Sequence, residues 1–166
     1  YIDVLAIVFT IFITPVWSAS TDAFATNDIE WIRNTVRKML IIAGIIVFFG
    51  VVMIIFSKFV FNIWLGEGVI EVNLVTLILV LLFVTFRMLY QSYGYVINGS
   101  GKLKAQMSIT LLLAFVYIPL AILLGRFLGL YGVLIISALT QLVNYVWSQQ
   151  QYKHIINKTG NKFWHE

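Results

Sequence analysis

The stretch from Met39 to Phe61 has only Ser57 and Lys58 as polar interruptions, both near its end, besides the two glycines Gly44 and Gly50. At ~1.5 Å per residue it covers the ~30 Å of a bilayer's hydrocarbon core with little to spare. The same length of predominantly apolar chain recurs at 72–97, at 107–128 and at 130–148, and a shorter run, 2–17, stands at the start. Such segments cannot all be interior helices of a water-soluble domain of 166 residues. The composition agrees: 61% of residues are hydrophobic and 11% charged, against roughly 45–50% and roughly 25% in soluble domains. The reading is an all-α, polytopic membrane helix bundle of about five transmembrane helices, occupying 1–152 and followed by a polar tail, 153–166.

Tyr1 leads straight into its apolar run with neither a basic segment nor a small-residue cleavage site, which is not the pattern of a signal peptide. The chain is therefore expected to begin inside a membrane helix, as the C-terminal part of a longer protein. The basic residues set the expected orientation, because cytoplasmic loops collect Lys and Arg near helix ends. Arg33, Arg37 and Lys38 fall between the first two spans, Lys102 and Lys104 between the third and fourth, and Lys153, Lys158 and Lys162 after the fifth. The opposite loop, 66–71, carries Glu67 and Glu71 and no base. This places the N-terminus outside and the C-terminus in the cytoplasm. Residues 27–38 read as a short cytoplasmic linker helix, capped by Asn27 or Asp28, with its acids early and its bases late. Trp17, Trp31, Trp64, Tyr131, Trp147 and Trp164 read as headgroup-level anchors.

Arg87 stands out because it lies too deep in its span to reach either surface comfortably. Asn73, Thr76, Arg87, Gln91, Gly94 and Asn98 recur at spacings near three, four and seven, which forms one polar stripe on a helix. Two readings stay open: Arg87 lines a watery cavity, or it ties two helices together through carbonyls or a hidden acid. The last span carries a second stripe, Ser137, Thr140, Gln141, Asn144 and Ser148, which either lines the same cavity or supplies interhelical hydrogen bonds. Lys58 can snorkel to its interface, and Pro119 is expected to kink its helix. Asp3, the one acid that could lie within the membrane, is a boundary residue or a proton relay. The loop from Asn98 to Lys104 lacks the full Walker spacing and does not follow a strand. It reads as a helix stop and turn whose Lys102 and Lys104 could meet anionic headgroups or a pyrophosphate. There is no cysteine, and both histidines, His154 and His165, sit in the tail. Without an acid pair in a span or a metal-ligand cluster, the sequence points to no enzyme, no metal, no cofactor and no nucleic-acid partner.

Thr14-Pro-Val-Trp-Ser-Ala-Ser-Thr-Asp-Ala23, followed by Asp28-Ile-Glu-Trp-Ile32, resembles the O-antigen flippase type of polysaccharide exporter in the multidrug/oligosaccharidyl-lipid/polysaccharide superfamily. Asn98-Gly-Ser-Gly-Lys-Leu-Lys-Ala-Gln106 is similar to a loop these proteins carry between two late spans, and the closing Gly-Leu-Tyr-Gly with a polar last helix also fits. The resemblance extends over essentially the whole chain. It implies a protein of twelve or more helices in two lobes, of which this chain is most of the C-terminal one, a monomer once joined to its N-terminal lobe. It further implies export of undecaprenyl-pyrophosphate-linked oligosaccharide across the bacterial inner membrane by alternating access. The substrate pathway would run past Arg87, Gln91, Asn98, Thr140, Gln141 and Asn144. Alternatives are a drug or cation exporter of the same architecture, or the scaffold part of a polyprenyl-linked membrane transferase.

Overall fold

The computed structural model describes residues 1–66 and 73–159. Six helices and no strand occur among them: α1 (Val4–Ala25), α2 (Ile29–Ile55), α3 (Ser57–Leu65), α4 (Leu74–Gly99), α5 (Lys104–Leu128) and α6 (Leu130–Asn157). All but α3 are long and apolar enough to cross a membrane, and the chain is a membrane protein of five such helices. Glu67, Glu71, Lys162, Trp164 and His165 lie outside the described residues.

Local chemistry explains where the helices depart from the expected bounds. The segment 27–38 is not a separate linker helix: from Ile29 onward it is the first part of α2. Asp28 caps that helix, accepting from the Trp31 N–H at 2.9 Å, and no glycine or proline before Gly44 breaks the ladder between the basic and apolar stretches. Asn27 takes φ 56°, and the Asp28 N–H donates to the Ala23 carbonyl at 2.8 Å. This left-handed C-terminal cap ends α1 and reverses the chain into α2. α1 itself runs eight residues past Trp17, so the Pro15-to-Ala19 block lies within a helix rather than at its end. The second apolar run is split at Phe56. There the Ser57 hydroxyl donates to the Ile54 carbonyl at 2.7 Å, a side-chain bond that competes with the helix ladder.

α4 is the hub, with α1, α2 and α6 packed around it, while α5 packs chiefly on α6. The core follows the helical spacing: Leu77, Leu81, Val84 and Met88 of α4 meet Phe9 and Ile13 of α1 and Ile32, Val36 and Ala43 of α2, all buried. α5 has one buried residue, Ala105, and its phenylalanines Phe115 and Phe127 are 77% and 78% exposed. In water that surface would drive aggregation; in lipid it costs nothing, because acyl chains solvate it as well as another leucine would.

Two close approaches need glycine. A Cβ on Gly132 would strike the Leu124 backbone, which fixes the α5–α6 hairpin behind the Gly129 turn (φ 58°). A Cβ on Gly99 would come within 2.6 Å of the Ser20 Cβ and 3.0 Å of the Trp17 carbonyl oxygen, so α4 crosses α1 at a contact of small residues. Gly99→Ala is expected to destabilise the bundle by about 1–3 kcal/mol through overpacking. Gly44→Ala, which meets open space, should be neutral or slightly stabilising. Unfolding of both variants by titrated denaturing detergent in mixed micelles checks the pair, and equal midpoints would remove the close-contact explanation.

Candidate functional site

Arg87 lies midway along α4, ~20 Å from either helix end at ~1.5 Å per residue. Its Nη1 stands 3.5 Å from Oδ1 of Asp3, at the start of α1. The distance is that of an ion pair rather than of a short charge-assisted hydrogen bond, which closes to about 2.7–2.9 Å. Among the described residues no hydrogen bond to Arg87 accompanies it. The two side chains are 36% and 62% exposed, so part of the guanidinium and most of the carboxylate look outward from the bundle. Lipid does not tolerate such a surface. A charge at mid-membrane costs about 2.5–3.5 kcal/mol even on the insertion scales that price it lowest. The Arg87–Asp3 pair offsets part of that cost for each partner.

The same face extends along both helices. On α1, Asp3 is followed at helical spacing by Thr10, Thr14, Ser18 and Thr21, a stripe that is largely exposed. These hydroxyls donate to carbonyls of their own helix, as in Thr10 to Ala6 at 2.7 Å and Thr14 to Thr10 at 2.7 Å. They are satisfied without water, so the ion pair rather than the hydroxyls determines the character of this face. On α4, Phe83, Arg87, Gln91, Gly94 and Asn98 share one side of the helix. Phe83 and Asn98 border cavities against α5, the first of about 340 Å³ and the second of about 370 Å³. Thr110 of α5 lines both.

The larger part of the second stripe is found in the 340 Å³ cavity. Ser137, Thr140, Gln141 and Asn144 of α6 line it together with Thr110 and Tyr117 of α5. The Ser137 and Tyr117 hydroxyls are 3.0 Å apart and bridge α6 to α5. Ser137 also donates to the Val133 carbonyl, and Thr140 to the Ile136 carbonyl. Asn144 Oδ1 accepts from the Trp147 indole N–H at 2.9 Å. Arg87 is not among the residues that line this cavity. Ser137 thus links helices, while Gln141 has a buried Oε1 with no hydrogen-bond partner among the described residues. Gln91 and Gln106 share that condition, although the Gln106 amide donates to the Tyr90 hydroxyl at 3.3 Å. An unsatisfied buried oxygen costs about 1–3 kcal/mol; the Ser20 hydroxyl and the Gln151 amide oxygen are in the same condition elsewhere in the bundle.

Other members of the sequence stripes do different work. Asn73 is the N-cap of α4, accepting from Val75 and Thr76 and donating to the Tyr131 hydroxyl at 2.6 Å. Ser148 is fully buried and donates to the Tyr145 carbonyl. Trp147, expected as a headgroup anchor, is buried between α4 and α6 with its ring 5.9 Å from that of Tyr90. Lys102 lines a separate cavity at the ends of α1, α4 and α6, while Lys104 begins α5 and is exposed. The sequence reading missed Asp3 as the partner of Arg87. The available signal was its place: Asp3 lies within the first apolar run, 2–17, which holds no other acid. No family model matches the chain, and neither does any curated protein or solved structure.

Proposed function

We propose that this chain is most of the C-terminal lobe of an exporter that flips undecaprenyl-pyrophosphate-linked oligosaccharide across the bacterial inner membrane, for O-antigen or related polysaccharide synthesis. Its C-terminus then faces the cytoplasm, and the lobe rocks against an N-terminal partner lobe in alternating access. The observation that carries this reading is the Arg87–Asp3 ion pair, which joins the middle of α4 to the start of α1, together with the polar stripe of α6, where Gln141 lines a cavity and keeps a buried amide oxygen with no partner among the described residues. The motif resemblance of the Pro15-to-Ala19 and Asn98-to-Gln106 blocks supports it.

The chemistry is that of replacing lost water. A lipid-linked sugar carries a pyrophosphate and many hydroxyls that hydrocarbon cannot solvate, each unpaired group costing several kcal/mol. Arg87 would attract the pyrophosphate or an acidic sugar, and Gln91, Asn98, Thr140, Gln141 and Asn144 would exchange hydrogen bonds with hydroxyls without demanding one sugar. The polyprenyl tail would stay in lipid.

The test is expression of the gene encoding this chain in a bacterial strain that lacks its own O-unit flippase and makes an O-unit matched to the gene's source. Restored surface polysaccharide, read by gel and by antibody, is the expected result. Failure at normal membrane levels with a matched sugar unit would sink the export reading.

A further inference from the structure

α5 packs on α6 and scarcely touches α4, so a cleft runs between α4 and α5 with α6 as its floor. The cavity of about 340 Å³ lies in this cleft: Phe83 of α4 and Leu113 and Ala114 of α5 form apolar walls over a floor of Thr140, Gln141 and Asn144. Ala114 and the nearby Thr110 are exposed, so the cleft opens sideways between the two helices. Its volume is at the small end of the range for ligand cavities. No charged side chain lines it among the described residues.

Most polar groups of the lining are already committed. Ser137 gives its proton to the Val133 carbonyl at 2.7 Å, so the Tyr117 hydroxyl, 3.0 Å away, is the donor of that pair. Thr140 gives its proton to the Ile136 carbonyl at 2.8 Å. The indole N–H of Trp147 is a donor only, which fixes Oδ1 as the end of the Asn144 amide that it meets, at 2.9 Å. The Nδ2 donor of Asn144 is left with no acceptor among the described residues. Gln141, three residues earlier on the same face of α6, keeps a buried Oε1 with no donor. One donor and one acceptor, a turn apart, are therefore left on a floor that is otherwise satisfied.

A hydroxyl donates and accepts at once, and so answers both. A phosphate or carboxylate would set an acceptor against Oε1, an ammonium would set a donor against Nδ2, and neither would find a counter-charge in the cleft. We infer that the cleft binds an uncharged, hydroxyl-bearing lipid headgroup from the membrane, the hydroxyl donating to Gln141 and accepting from Asn144 while the apolar part lies along Leu113 and Ala114. This deepens the export reading by giving the hydroxyl-binding residues of α6 a pocket apart from Arg87, and it rests on that reading only for the natural source of the ligand. Two sources offer the chemistry: the sugar ring of a glycolipid and the free hydroxyl of a diacylglycerol.

The full chain in phosphatidylcholine nanodiscs provides the test, doped in turn with photoreactive forms of an alkyl glucoside, diacylglycerol, phosphatidylcholine and phosphatidic acid, with the labelled positions read by peptide mass spectrometry. No transport is measured, so this inference and the export reading can fail separately. The glucoside should label α5 around Leu113 and Ala114 in preference to both phospholipids. In Gln141→Leu, where a side chain of similar volume fills the same space, that labelling should fall about fivefold, the effect of one lost neutral hydrogen bond. It should survive in Ser20→Ala, which removes an unpartnered buried oxygen away from the cleft. Diacylglycerol labelling the same positions as strongly assigns the site to any lipid hydroxyl, and labelling by the glucoside alone assigns it to the sugar ring. Equal labelling by phosphatidylcholine, or a Gln141→Leu variant that keeps the preference, overturns the inference and leaves the cleft to water. A loss of equal size in Ser20→Ala would trace the effect to the fold and overturn it too.

Discussion

Arg87→Gln is expected to lower surface polysaccharide about tenfold or more at matched membrane levels, while Asp3→Asn leaves it near wild type. Hydrogen bonds to a charged group contribute about 1.5–3 kcal/mol each, and one bond of that size lost in the transport-limiting state gives roughly a 10- to 100-fold effect. The asymmetry between the two variants distinguishes the two roles open to Arg87. If the guanidinium serves the cargo, Asp3 is a resting counter-ion, and removing it frees the guanidinium. If the pair serves the fold, both single variants should be equally impaired, and the exchange Asp3→Arg with Arg87→Asp should restore function. The ion pair is too exposed for its rupture alone to unfold the bundle, since pairs in such surroundings contribute about 1 kcal/mol or less. A tenfold loss in Arg87→Gln with a normal unfolding midpoint would therefore point to the cargo.

Gln141→Leu is expected to move stability and export in opposite directions. The buried Oε1 of Gln141 has no partner among the described residues, and a leucine of similar volume removes its desolvation cost of about 1–3 kcal/mol. The variant should unfold at higher denaturing-detergent content than wild type. In the cavity shared with Thr140, Asn144 and Tyr117, the same change deletes a donor and an acceptor for a passing hydroxyl, so export should drop several-fold. A stabilised variant that exports normally would make Gln141 an idle polar residue, whereas a destabilised one would mean that its amide has a structural partner.

The five long helices were legible because a bilayer's thickness imposes a length and an apolar character on any segment that crosses it, and proline at 15 and 119 did not hide them. Their ends were less legible. Apolarity stops at the membrane surface but hydrogen bonding does not, so α2 begins at Ile29 and α6 continues to Asn157. The polar stripes followed from spacing alone, yet spacing could not separate Gln141, with an unpartnered oxygen, from Ser148, turned inward onto a carbonyl. Nor could it reveal Asp3 as the partner of Arg87. That pairing joins residues distant in sequence and depends on how α1 and α4 lie side by side, which their shared buried core and the close contact at Gly99 determine.

The central place of α4 has a consequence for biosynthesis. α1 and α2 leave the ribosome well before the helix they pack against, and α6, which covers α4 on another side, follows it. These two helices enter the bilayer before α4, with Asp3 lacking its guanidinium until α4 is inserted. Arg87 in turn enters the translocon with its counter-charge already in the membrane, and this order eases the partition of an otherwise costly charge.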